Sequence, residues 1–283
     1  MTLSASTASR EATDRRDTIK VRRMDLEFPD SMPTFWCDDN PLQTATLVAL
    51  TACFPPGERF FISSVRHFLS RVEDPLLLEQ VRAFVGQEAN HTKEHIAFNR
   101  FLDSKGFPVT EMEEWVGKLL GRVQKRSRPE ANLARTVALE HFTAIMAGAL
   151  LEHPEVVETM HPAAAKLWVW HAIEEIEHKS VAFDVYKLAV DDEALRLRTM
   201  IGATVVFIAL NSVRVGMVLK RTGTLWNLRS IAKGLNVLWG RPGIFRKLVP
   251  LYLSYFRKGF HPSQHDQSTL VEFAKRRYLG SQA

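Results

Sequence analysis

The chain has 283 residues, 46% hydrophobic and 24% charged, with a formal charge of +5. That length can bury a large core, and the composition excludes collagen-like and wholly disordered classes. The two cysteines, Cys37 and Cys53, stand in no Cys-x-x-Cys spacing, which excludes a disulfide scaffold and a cysteine-based zinc site and makes a reducing cytoplasm the expected compartment.

Residues 1–18 are rich in Ser, Thr, Ala and Arg with no apolar stretch, so a disordered tail is expected rather than a signal peptide. Ile19–Pro33 alternates briefly and holds two prolines, which suits an extended path, so 1–39 is read as a disordered or extended segment. From Asn40 onward apolar residues recur at steps of three and four and strand signals are nearly absent, so the fold class is all-α. The spacing predicts helices over Pro41–Ala52, Pro56–Arg71, Pro75–Ser104, Thr110–Arg126, Pro129–Leu151, Pro162–Val190 and Glu193–Arg221. Shorter helices follow over Leu225–Leu238, Pro242–Phe256 and Ser268–Tyr278. Pro56, Pro75, Pro129 and Pro162 suit first turns, where the missing amide has no partner to lose. Gly106 and Pro108 mark a stop. No Gly-rich phosphate loop, dinucleotide fingerprint or nucleophile elbow occurs.

Charge divides the chain in two. Residues 1–190 carry 22 basic and 27 acidic side chains, while 191–283 carry 15 and 5. Between Ala194 and His265 there is no acid and there are twelve bases. The expected organisation is a helical bundle over 40–190 and a basic, apolar helical extension over 191–283 packed on it.

The chemistry concentrates in the bundle. Glu88-Ala89-Asn90-His91 and Glu175-Ile176-Glu177-His178 each sit mid-helix with apolar neighbours. A spacing of three places Glu and His on one helix face, a turn apart, so both can aim at one point. A carboxylate on a core-facing seam needs a counter-charge, and a metal ion supplies one. A lone Glu precedes each motif on an earlier helix: Glu58 before the first and Glu140 before the second. In a four-helix bundle that order builds a dinuclear site. Four carboxylates balance the charge of two divalent ions.

The double motif resembles the ferritin-like di-iron carboxylate superfamily over residues 54–190. His171, Glu175 and His178, at i, i+4 and i+7, look like the ligand helix of di-iron arylamine N-oxygenases, a resemblance that implies His171 as a further metal ligand. The whole chain is similar to a bacterial family labelled "predicted metal-dependent hydrolase". That likeness rests on FPPGERFF (54–61), GQEANHTKEH (86–95), HAIEEIEHKSVAFDVY (171–186) and Gly259-Phe260-His261-Pro262. His95 continues the Glu88 face and is open between an added ligand and an outer partner. His141, about 100° round from Glu140, and Tyr186 read as packing residues. Glu174 and Glu177 read as exposed or outer contacts, and His261 and His265 as structural.

Oxygen and nitrogen donors without sulfur suit Fe or Mn, with Zn an alternative. Two iron ions imply O2 activation and oxidation of an organic substrate, which is the favoured expectation. Hydrolysis by a metal-bridged hydroxide is the alternative, and a non-catalytic metal-binding or membrane-associated protein is the third reading. The expected partner is a small organic substrate of apolar character, and a homodimer is left open. Met200–Leu219 is long enough to span a membrane, but Asn211 and Arg214 weigh against a span. A buried bundle helix, or a peripheral membrane contact through basic residues and aromatics, fits it too. Without a recognised module, the basic residues do not argue for nucleic acid.

Overall fold

The computed structural model describes residues 19–280, so the expected tail over 1–18 lies outside the described residues. Asn40 caps α1 (Pro41–Thr51) by accepting from the amides of Leu42 and Gln43, and Pro41 occupies its first turn. Asp74 and Pro75 open α3 (Pro75–Ser104) in the same way, after α2 (Phe54–Arg66) and a 3-10 turn at Leu69–Arg71. These are the two signals that start a helix cheaply: a side chain for an orphan amide, and a residue that has none. Gly106, at φ +89°, ends α3 in the left-handed conformation that glycine adopts without strain. Then come α4 (Val109–Arg126), α5 (Pro129–Leu151), a single turn α6 (Pro154–Val157) and α7 (Pro162–His178).

The helix expected over Pro162–Val190 is two. It breaks at Lys179–Ser180, and α8 (Val181–Ala189) resumes it. Both break residues stay right-handed helical in φ and ψ, so the apolar period runs through without a Gly or Pro to mark the kink. The long helix α9 (Glu193–Arg221) follows, then α10 (Leu228–Leu235), α11 (Ile244–Ser254) and α12 (Ser268–Ala274). The expected helix over Pro242–Phe256 starts at Ile244 because Gly243 has φ +77°. π-Helical turns at Asn236–Gly240 and Lys275–Leu279 replace the ends expected for the helices on either side of α11.

Helices α2, α3, α5 and α7 form the bundle: α2 lies on α3 and α5, and α7 lies on α3 and α5. Two apolar cores fill it. One gathers Phe84, Val137, Phe142 and Val181, and the other gathers Trp36, Phe98, Leu167 and Ile173. On α3, Glu88 and His91 fall between the two, after Phe84 of the first core and before Phe98 of the second. The stretch 19–39 runs without helix along α3. There Glu94 accepts from the amides of Asp25 and Leu26 at 3.2 and 2.9 Å, and a lone β-bridge ties Cys37 to Met160. Met24, Met32 and Trp36 bury their side chains. Around the bundle, α9 packs on α5 and α1, α10 on α1, α11 on α5, and the Lys275–Leu279 turn on α7. Helix α9 is the one described helix long and apolar enough to cross a membrane by length and composition. It is not the fully buried helix that its sequence also allowed: Ile201, Val205 and Ile208 are more than half exposed.

Candidate metal centre

The helical period brings seven side chains to one place. Glu58 comes from α2, Glu88 and His91 from α3, Glu140 from α5, and His171, Glu175 and His178 from α7. All are buried. His178 Nε2 lies 3.2 Å from Glu88 Oε1, 3.5 Å from Glu140 Oε2 and 3.6 Å from Glu175 Oε2. His91 Nδ1 lies 3.7 Å from Glu175 Oε1. Donor atoms of Glu58, Glu88 and His91, and likewise of Glu88, Glu175 and His178, lie within 4.8 Å of one another. His171 falls in two such groups, one with His91 and Glu175 and one with Glu58 and His95.

Most of the inward-facing atoms have no hydrogen-bond partner. Both oxygens of Glu88, both of Glu140, Glu58 Oε1, Glu175 Oε2, His91 Nδ1 and His178 Nε2 are buried and unsatisfied. Contacts such as His178 to Glu88 are close but misaligned for a hydrogen bond. Buried polar atoms left in this state are costly, and a cation is the group that satisfies several acceptors at once. The titration shifts describe the same demand. Burial, and then the charge of Glu88, pushes Glu58 well above the usual carboxylate range. Burial likewise raises Glu88 far up, and Glu140 to about 7. Burial would raise Glu175 too, but the hydrogen bond from His171 and the nearby charge of His178 outweigh it and hold it well below. Burial alone would depress His178, yet Glu140, Glu175 and Glu88 carry it well above its ordinary value. In each case positive charge is wanted among the carboxylates. The donor set fits divalent ions.

The outer nitrogens of the three imidazoles are spoken for. Gln87 Nε2 donates to Glu177 Oε2 and to the Lys20 carbonyl, both at 3.0 Å. Its Oε1 therefore faces His178 Nδ1 at 2.9 Å as an acceptor, and the proton of His178 belongs on Nδ1. His91 Nε2 meets Glu174 Oε2 at 3.1 Å. The longest chain fixes His171. Asn99 Nδ2 donates to Glu113 Oε2 at 2.9 Å, so its Oδ1 accepts from Thr51 Oγ1 at 2.8 Å. Thr51 can then only accept from His95 Nδ1, 2.7 Å away, and His95 Nε2 accepts from His171 Nδ1 at 2.6 Å. Each network begins at an acceptor-only carboxylate: Glu177, Glu174 or Glu113. Each fixes the proton on the outer nitrogen, so that an ion entering the cluster need displace only a proton on the inner nitrogen, such as the one the carboxylates hold on His178. His171 Nε2 then stands 2.8 Å from Glu175 Oε1, sharing a proton that a bound cation would replace.

Arg22 anchors this outer layer. It lies at 3% side-chain exposure and donates from Nη1 to Glu174 Oε1 at 3.1 Å. It also grips both oxygens of Glu177, at 2.7 and 2.9 Å. Lys275 reaches Glu177 from the other end of the chain at 3.0 Å. Neither Arg22 nor Gln87 was singled out from the sequence. Gln87 adjoins a motif Glu, a position that could have flagged it, whereas nothing local marks Arg22. Of the residues outside the cluster, His141 pairs with the Leu251 carbonyl. Tyr186 donates to the Asp192 carbonyl, and His261 and His265 bond Asp184 and Ser254. An apolar cavity walled by Leu47, Leu50, Phe54, Leu150 and Trp168, and closed over by Val237, Leu238, Ile244 and Phe245, has His171 and Glu175 in its lining.

These features define an all-α protein with a buried Glu/His cluster that could hold metal ions. The sequence model of the family described as "predicted metal-dependent hydrolase" matches residues 20–266. The chain belongs to that family. No curated protein and no solved structure matches it.

Proposed function

We propose that the chain is a metal-dependent hydrolase that holds two divalent ions in the Glu/His cluster and takes an apolar organic substrate through the adjoining cavity. The observation that carries this reading is the rooting of His91, His171 and His178. All three have their outer nitrogen fixed by a carboxylate-based network and their inner nitrogen turned to unsatisfied carboxylates. Glu58, Glu88, Glu140 and Glu175 with the three imidazoles would hold the ions, in an arrangement of the ferritin-like kind. When bound, such ions polarise a carbonyl or phosphoryl oxygen and acidify water. The chain's own part is to orient and to exclude solvent. Arg22, Gln87 and Asn99 keep the imidazoles from rotating, and the cavity wall gives an apolar group a dry seat beside His171 and Glu175.

A second reading, O2-dependent oxidation with two iron ions, is favoured by the same cavity, since an apolar lining suits a substrate without a scissile polar bond. It comes second because the family's description names hydrolysis.

One experiment separates them. Protein from cells supplied with Fe, Mn and Zn is analysed for metal, then assayed on acyl esters without reductant and for O2 uptake with one. About two ions per chain are expected, lost in the Glu88→Ala/Glu175→Ala variant, together with ester turnover. O2 consumption without ester turnover would replace hydrolysis by oxidation. Less than one ion per chain, unchanged in that variant, overturns both.

A further inference from the structure

We infer that the outer face of α9, continued by α11, docks in the plane of an anionic lipid surface. The inference stands apart from the chemistry of the metal centre. One stripe of α9 turns away from the protein. Ile201, Val205, Ile208 and Val213 on it are 54–64% exposed, and Gly202, Ala209 and Gly216 fill the stripe between them at steps of seven. Gly202 and Gly216 face open space. A single exposed aliphatic residue is ordinary, but a row along some three turns is not. Helix α11 extends the row sideways. Both helices pack on α5, and Thr204 of α9 meets the Tyr252 hydroxyl of α11 at 2.9 Å. Leu253, next to Tyr252, is 56% exposed. Just past the end of α9, Trp226 is 84% exposed, the amphipathic ring that membrane interfaces favour.

Charge decides what covers this face. Arg198 stands at one end of the stripe, and Lys220 and Arg221 at the other, all exposed. Among the described residues no ion pair joins these three to an acid, and no acid occurs between Ala194 and His265. A second copy of the chain laid parallel on this stripe would bring basic ends against basic ends, and an antiparallel copy would set Lys220 and Arg221 against Glu193, which Arg196 already holds. An anionic bilayer meets the same ends with opposite charge and the stripe with hydrocarbon. The opposite side of α9 settles its orientation. Arg196 is buried there and donates to the Tyr255 carbonyl at 2.7 Å, Arg214 is buried, and Met200 and Val218 belong to the core. Crossing the bilayer would strip α9 from α1 and α5 and carry both arginines with it. Lying in the interface costs none of these contacts.

The test is flotation of the full chain with vesicles of phosphatidylglycerol and phosphatidylcholine in equal parts, against phosphatidylcholine alone, with tryptophan emission as a second readout. Binding to the anionic vesicles is expected to be at least about tenfold stronger, with a blue shift in emission. V205E/I208E alters only exposed positions, so it should fold and retain metal, yet lose at least about tenfold in binding. K220Q/R221Q should lose about fivefold for each charge removed. Absence of binding to the anionic vesicles, or equal binding by V205E/I208E, overturns the inference. So does a lipid-free dimer that V205E/I208E converts to monomer, which would put a second copy on the face.

Discussion

Removing Arg22 should damage stability and metal affinity together, and a second substitution should repair both. Arg22→Met takes one cation from two carboxylates that differ in what remains. Glu177 keeps Lys275 at 3.0 Å and has 13% side-chain exposure. Glu174 is fully buried and loses its one cationic partner, keeping His91. Breaking a buried pair by deleting one partner costs about 3–5 kcal/mol. Because Glu177 stays paired, the lower end applies, about 3 kcal/mol. Even beside Arg22, burial holds Glu174 at about 7. Without the guanidinium its carboxyl takes a proton at neutral pH and becomes a donor. His91 Nε2 then has to accept, and its proton moves to Nδ1, the nitrogen turned toward Glu175. Loss of such an outer partner typically costs about 10–100-fold in metal affinity. Urea unfolding of the metal-free protein and competition titration with Mn2+ measure the two effects. The Arg22→Met/Glu174→Gln variant replaces that protonated carboxyl by an amide whose oxygen can accept from His91, so most of both losses should return. A double variant no better than the single one, or an affinity within about twofold of wild type in Arg22→Met, would refute the chain from Arg22 through Glu174 to His91.

Three further outcomes are expected. Gln87→Leu deprives His178 Nδ1 of its acceptor and should weaken Mn2+ binding by about tenfold or more while the helical signal is kept; unchanged affinity would show that His178 is held by packing alone. Asn40→Ala removes the α1 cap and the hydrogen bond to the Ser230 carbonyl. It should cost about 2 kcal/mol in urea unfolding, and a loss below about 0.5 kcal/mol would contradict the buried cap. Burial pushes the Cys37 thiol up to about 12 and that of Cys53 up to about 11. At pH 8 the thiolate fraction is then no more than about one in a thousand. Iodoacetamide should leave both unlabelled in the native protein and label both in denaturant, and rapid native labelling of the half-buried Cys53 would count against its raised thiol.

The parts of this protein legible in its sequence are those written in one helical period. Glu88 with His91, and Glu175 with His178, are separated by three residues, and that number alone places each pair on one face. The bundle helices announce their starts with Asp74 and four prolines, and α1 does so with Asn40. What the period does not carry was not legible. Arg22 lies 152 residues before Glu174, in a stretch whose irregular path is set by α3 rather than by its own pattern. Its sequence therefore reads only as extended. The break at Lys179–Ser180 preserves helical dihedrals and so leaves no mark. The exposed stripe of α9 is composed like a core helix, because composition reports how apolar a face is and not what covers it. His95 shows the middle case. Its register was visible, but its partners Thr51 and His171 come from other helices, and only their meeting decides which nitrogen carries the proton.

The two clamps on Glu177 have a consequence for how the protein is made. Arg22 is among the first described residues to leave the ribosome and Lys275 among the last, yet they grip the same carboxylate, one residue before His178. The helices bearing every proposed ligand are complete long before Lys275 is synthesised. The nascent chain thus passes through a stage in which all seven ligands exist and the outer clasp does not. Clamping of Glu177 by Lys275 is a late event of biosynthesis, after every residue of the cluster has been made.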